Sequence, residues 1–185
     1  MAKEIYEQPE VVGHTLAHYL DFNALKVRLP KDFPVDFAKI ERLAITACGT
    51  AFYAGLTARY WFERLARLPV DIDIASEFRY RELPLAKNGL TIAISQSGET
   101  ADTLASLRYA RSQGQKLAAV VNVRESTIAR ESDCLLPTLA GPEIGVASTK
   151  AFTCQLAVLA CVAVAAGKAR GVLSDEDEQK LVRAL

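Results

Sequence analysis

The sequence predicts an α/β protein, a doubly wound sandwich in which five parallel strands are covered by helices on both faces. Three observations carry this. Short runs of leucine, isoleucine, valine and alanine recur after residue 41, most of them apolar throughout, as strands buried on both faces are. Segments with apolar residues at helical spacing separate those runs. The runs also end in polar turns, several with glycine, at the strand ends where such sheets bind ligands.

Residues 3–20 predict an opening helix: Pro9 suits a first turn, and Val12, Leu16, Tyr19 and Leu20 recur on one side. Residues 21–40 carry Pro30 and Pro34 with little periodicity, which predicts a wrapping linker. Leu43-Ala44-Ile45-Thr46-Ala47 predicts the first strand, closed by Cys48-Gly49-Thr50; a helix over about 51–67 follows and Pro69 stops it. Val70-Asp71-Ile72-Asp73-Ile74 alternates, as a second strand nearer an edge would, and Ser76 is placed to cap a short helix towards Leu83. The third strand is expected over 90–94 and the third helix over 100–113, with Gly114 as its stop. Residues 117–121 predict a fourth strand, 126–131 one or two helical turns, and Cys134-Leu135-Leu136 a fifth strand. A long apolar helix over about 149–166 is expected to end at Gly167, and Ser174-Asp175-Glu176-Asp177 opens a last charged helix that Leu185 cuts short, as in an excised or truncated chain. The expected division is a helix and linker at 1–40, a domain at 41–172, and the start of a following helix or linker at 173–185.

Chemistry concentrates in one turn. Ser95, Ser97 and Thr100 offer hydroxyl donors where the third strand stops, Gly98 lets backbone amides approach an anion, and the next helix adds its unpaired N-terminal amides. No lysine or arginine lies in this turn, so an anion there would be held by neutral donors. An ordinary connector with Thr100 as helix cap has the same composition. What favours a site is that Cys48-Gly49-Thr50 and residues 146–150 are expected beside it at the carboxyl ends of the strands.

Composition excludes several classes. Lysine plus arginine equals aspartate plus glutamate at 22 each, so no overall field points to nucleic acid or an anionic membrane. Cys48, Cys134, Cys154 and Cys161 lack C-x-x-C spacing and no signal peptide opens the chain, which predicts reduced thiols in a cytoplasm. Cys154 and Cys161 share a helix face and read as core filler; His14 and His18 read as a solvated face and no metal is expected. The apolar run 156–166 falls short of the roughly 20 residues that span a bilayer.

Four stretches carry a family resemblance: Ala47-Cys48-Gly49-Thr50, residues 74–81, residues 95–103, and residues 143–153 (Glu-Ile-Gly-Val-Ala-Ser-Thr-Lys-Ala-Phe-Thr). They resemble the first sugar isomerase (SIS) domain of the glucosamine-6-phosphate synthase family, and the opening residues 3–9 resemble the start of that family's isomerase half. The resemblance implies a flavodoxin-like domain that binds fructose 6-phosphate or glucosamine 6-phosphate. By motif match, Ser95, Gln96, Ser97 and Thr100 would hold the phosphate, and Cys48, Gly49, Thr50, Val146 and Ser148 would face the sugar. It implies no cofactor, self-association as a homodimer, and, for the whole enzyme, conversion of fructose 6-phosphate and glutamine to glucosamine 6-phosphate and glutamate.

Two departures matter. The family usually has serine where this chain has Ala51. The family's glutaminase domain and second SIS domain, source of the catalytic base, are absent from these residues. The expectation is therefore a sugar-phosphate-binding unit that is catalytically incomplete alone, with Glu143 a loop-structuring carboxylate rather than a base. Glu99, awkward beside a dianion, should point away. Three other readings compete: the effector module of a regulator, although residues 1–40 offer no helix-turn-helix; a flavin or nucleotide binder, although G-x-x-x-x-G-K-[ST] and G-x-G-x-x-G are missing; and a structural dimerisation domain.

Overall fold

Alternating apolar runs and helices condense, in a computed structural model describing residues 1–87 and 89–185, into one parallel sheet between two helical layers. The opening segment forms α1 (Ala2–Tyr6) and α2 (Gln8–Tyr19), so the expected single helix is divided at Glu7. Residues 21–40 hold more than linker: β1 (Leu20–Asp21) and β2 (Lys26–Val27) make a short antiparallel ribbon, its turn braced by the Asp21 carboxylate, which accepts from the Asn23 and Ala24 amides.

The main sheet is β3 (Leu43–Ala47), β4 (Val70–Ile74), β5 (Leu90–Ser95), β6 (Lys116–Val121) and β7 (Cys134–Pro137). The spatial order is β4-β3-β5-β6-β7 and every pairing is parallel. Counted along the sheet-forming strands this is 2-1-3-4-5, the flavodoxin-like order, whose switch point lies between β3 and β5. β4 is an edge strand, as its alternation predicted.

α3 (Gly49–Trp61) runs into a π-helical turn (Phe62–Ala66), and Arg67 closes it in the left-handed region at φ 50°. α4 (Ala75–Phe78) begins one residue before Ser76, so Ser76 lies inside the helix instead of capping it. α5 (Ala101–Ser112) and α6 (Thr127–Arg130) join α4 in the layer on the opposite sheet face from α3. α7 (Lys150–Ala169) passes through Gly167 rather than ending there. A Cβ at Gly167 would lie 2.5 Å from the Leu65 carbonyl oxygen, so this glycine permits close packing, while Gly171 at φ +69° turns the chain out. α8 (Asp175–Ala184) opens with the expected capping box between Ser174 and Asp177.

The two sheet faces differ in side-chain size. Leu43, Ile45, Leu90, Ile92 and Val120 fill the larger core beneath α2, α3 and α7. Ala44, Ala93 and Ala119 line the other face, letting α5 and the Phe78 turn lie close. Each large aliphatic side chain so buried contributes about 1.5–3 kcal/mol, so the face under α7 carries most of the stabilisation. α7 is long and apolar enough to span a bilayer by length and composition, but its apolar surface is used by packing within the protein. Tyr19, 1% exposed, donates its hydroxyl to the Pro137 carbonyl at 2.8 Å and fixes α2 to the end of β7.

Candidate functional site

The carboxyl ends of β3 and β5 open at the switch point into a cavity of about 430 Å³. Its wall includes Cys48, Gly49 and Thr50 from the β3–α3 turn, Ser95, Gln96, Ser97 and Thr100 from the β5–α5 turn, and Val146 and Ser148 from the loop before α7. All nine residues singled out from the sequence therefore share one cavity. Ala51, singled out for the serine it replaces, is in the wall too, and Ile94, Ala147 and Gln155, which sequence reasoning does not find, complete it. For Gln155 a signal existed: it is an amide on the buried face of an otherwise apolar helix.

The β3 turn is set by backbone shape. Gly49 takes φ +57°, and a Cβ there would meet nothing within 4 Å, so conformation rather than space demands glycine. Thr103 holds the Cys48 thiol in place, its hydroxyl 3.9 Å from Sγ.

The β5 turn is a closed hydrogen-bond circuit. The Gly98 amide donates to Ser95 Oγ at 3.0 Å, the Glu99 amide donates to Ser97 Oγ at 3.2 Å, and the Ser95 and Thr100 hydroxyls lie 3.1 Å apart. The Gly98 amide is thus spent inside the loop rather than offered to an anion. Its glycine is required by φ +67° and by crowding: a Cβ would fall 1.9 Å from Ser126 Oγ. Thr100 occupies the N-cap position of α5, yet its side chain makes no capping bond. The first-turn amides of α5 have no intrahelical acceptors, so donors and a positive helix end face this turn. Ser97 accepts within the loop and keeps its own proton to donate.

Carboxylates are kept out of this wall. Glu99 turns away and accepts from the Thr127 amide at 2.7 Å, a bond that holds its pKa below the usual value. Glu143 caps α7, accepting from the Thr149 and Ala151 amides at 2.8 and 3.2 Å and from Ser148 Oγ at 3.0 Å. It structures the loop, as expected. Ser148 consequently presents its oxygen as an acceptor. The loop is also tied from outside, because the Ile144 and Gly145 amides donate to Glu4 at 2.6 and 3.0 Å. Together with the N-terminal ammonium, which contributes most, these amides pull the Glu4 pKa down to about 2. Lys150, 4% exposed, is neutralised by Glu7 at 2.7 Å.

Burial pushes the Cys134 and Cys161 thiols up to about 12, which suits their place in the core. His14 and His18 are exposed, and no group of three metal-ligating side chains occurs among the described residues.

Residues 36–165 match the family model for the SIS domain. The chain belongs to the SIS domain family. Over all 185 residues this SIS domain is 73% identical to the glutamine–fructose-6-phosphate aminotransferase [isomerizing] of Mesorhizobium japonicum and 65% identical to that of Brucella abortus biovar 1. It spans 30% of the length of each. A solved structure, the C-terminal domain of glucosamine-fructose-6-phosphate aminotransferase from Francisella tularensis, superposes with a TM-score of 0.92 at 43% identity, covering 99% of this chain and 51% of that one. Nothing in these similarities supports a regulator's effector module.

Proposed function

We propose that this SIS domain binds fructose 6-phosphate or glucosamine 6-phosphate as the sugar-phosphate site of an isomerising aminotransferase. Ser95, Gln96, Ser97 and Thr100 hold the phosphate; Cys48, Gly49, Thr50, Val146 and Ser148 face the sugar. The observation that carries the reading is the convergence of these nine residues on one cavity at the switch point of the sheet. A phosphate dianion takes convergent hydroxyl and amide donors, and the β5–α5 turn supplies them without a cation. The sugar rim takes both kinds of group: the Thr50 hydroxyl can accept and donate, and Ser148, its proton given to Glu143, accepts.

Moving a proton between carbons 1 and 2 of the sugar needs a base within hydrogen-bond reach. Among the described residues no carboxylate, histidine or lysine lines this cavity, and Glu99 and Glu143 are engaged elsewhere. The chain alone therefore binds its ligand without efficient turnover. The 73%-identical relative is named an isomerising glutamine–fructose-6-phosphate aminotransferase, which supports placing this domain in such an enzyme. We propose further that the enzyme converts fructose 6-phosphate and glutamine to glucosamine 6-phosphate and glutamate, in the cytoplasm and as a homodimer. Residues 41–172 form the binding unit, with 1–40 leading into it and 173–185 leading away.

Thermal-shift titration tests this directly. At one hundred times its dissociation constant a ligand adds about 2.7 kcal/mol, which for a domain of this size raises the melting temperature by roughly 5–10 °C. Fructose 6-phosphate or glucosamine 6-phosphate should produce such a shift at concentrations where inorganic phosphate and FMN do not. Equal responses to phosphate and to the sugar phosphates would refute a sugar site. Ala51→Ser, restoring the hydroxyl at a cavity position, should tighten sugar-phosphate binding by about fivefold, the worth of one net hydrogen bond of about 1 kcal/mol.

A further inference from the structure

Gln155 lies on α7, is 2% exposed and lines the cavity. Its Oε1 is buried with no hydrogen-bond partner. A buried primary amide is expensive to leave unpaired, and native interiors seldom do so. Of the other buried side-chain atoms without hydrogen-bond partners, Glu4 Oε2 is ion-paired to the N-terminal ammonium at 2.8 Å, and it, Thr46 and Ser126 lie outside the cavity wall, so Gln155 is the one that a ligand in this cavity would satisfy.

We propose that Gln155 is a further sugar-binding residue, its amide pairing with a hydroxyl of the hexose; this rests on the sugar-phosphate reading above. The chemistry selects the sugar over the phosphate. A primary amide donates through nitrogen and accepts through oxygen, matching a hydroxyl that does both, whereas a dianion only accepts. The phosphate also has its own donors on the β5–α5 turn, while α7 follows the loop carrying Val146 and Ser148. Gln155 thus contributes discrimination: a site with a buried group awaiting a hydroxyl disfavours ligands that lack it.

Gln155→Met keeps length and volume and removes both polar atoms. Sugar-free, this variant should melt at the wild-type temperature or above, because an unpaired buried amide has been deleted. Its affinity for fructose 6-phosphate should fall about tenfold while its affinity for inorganic phosphate stays unchanged. Hexose 6-phosphates lacking one hydroxyl in turn complete a double-mutant cycle: loss of one particular hydroxyl should weaken wild type but not Gln155→Met. If Gln155→Met does not fold, Gln155→Asn, which withdraws the amide by one methylene, carries the same comparison. Wild-type affinity for the sugar phosphate in a folded variant overturns the inference, since the amide then meets only water. An equal loss for inorganic phosphate overturns it too, by placing Gln155 on the phosphate. Should wild type itself not prefer sugar phosphate over phosphate, the sugar-phosphate reading falls and this inference with it.

Discussion

Gly98→Ala should lower the melting temperature by roughly 6–12 °C and abolish sugar-phosphate binding. Left-handed backbone costs a non-glycine residue about 1–2 kcal/mol, and forcing an extra methyl into a packed site about 1–3 kcal/mol, so a loss near 3 kcal/mol is expected. The new Cβ would lie 1.9 Å from Ser126 Oγ, 2.5 Å from Ser126 Cβ and 2.8 Å from Val121 Cγ1. None of these can retreat easily: Val121 is in β6, and Ser126 leads into α6, which is held to the turn by the Ile128 amide donating to the Gly98 carbonyl at 3.0 Å. Relief must come from the turn itself, which carries Ser97 and Thr100. Adding Ser126→Gly should recover the part of the steric loss due to Ser126, leaving the Val121 contact and the backbone share. Wild-type melting and affinity in Gly98→Ala would show that the turn is not held as described.

The double variant Ser97→Ala, Thr100→Ala should cost roughly thirtyfold in affinity for fructose 6-phosphate. Two hydrogen bonds to the phosphate, each worth about 1 kcal/mol net, give about 2 kcal/mol. Stability should change little. Thr100 makes no capping bond, Ser95 keeps its bond from the Gly98 amide when the Thr100 hydroxyl is lost, and Ser97 accepts only from the exposed Glu99 amide, which water can serve. Binding to inorganic phosphate should weaken in parallel, the opposite of the pattern expected for Gln155→Met. Isothermal titration of both ligands separates the two; an unchanged phosphate affinity in the double variant would remove the anion cradle from the proposal.

Much of the architecture was legible because buried parallel strands leave a local mark. Residues 43–47, 90–94 and 117–121 are apolar without alternation, and each proved to be a sheet strand. The nine cavity residues were legible for a related reason. They sit in polar turns directly after strands or before a helix, and in a parallel sheet every strand's carboxyl end reaches the same edge. Gly167 shows the limit. Its position near the end of an apolar run looks like a helix stop, but its use is set by the Leu65 carbonyl, about a hundred residues earlier in the chain.

Sequence by itself determined the strands, most of the helices, the polar turns and the residue types that can meet a phosphate, because propensity and burial pattern act within a few residues of chain. Tertiary structure alone decided the strand order, and with it which turns flank the switch point. It also decided which donors are already spent, with Gly98 committed to Ser95 and Glu99 to the Thr127 amide, and that Gln155 lies buried without a partner. Those outcomes depend on which distant groups fill each donor and acceptor. That pairing exists only once the sheet has brought the turns together.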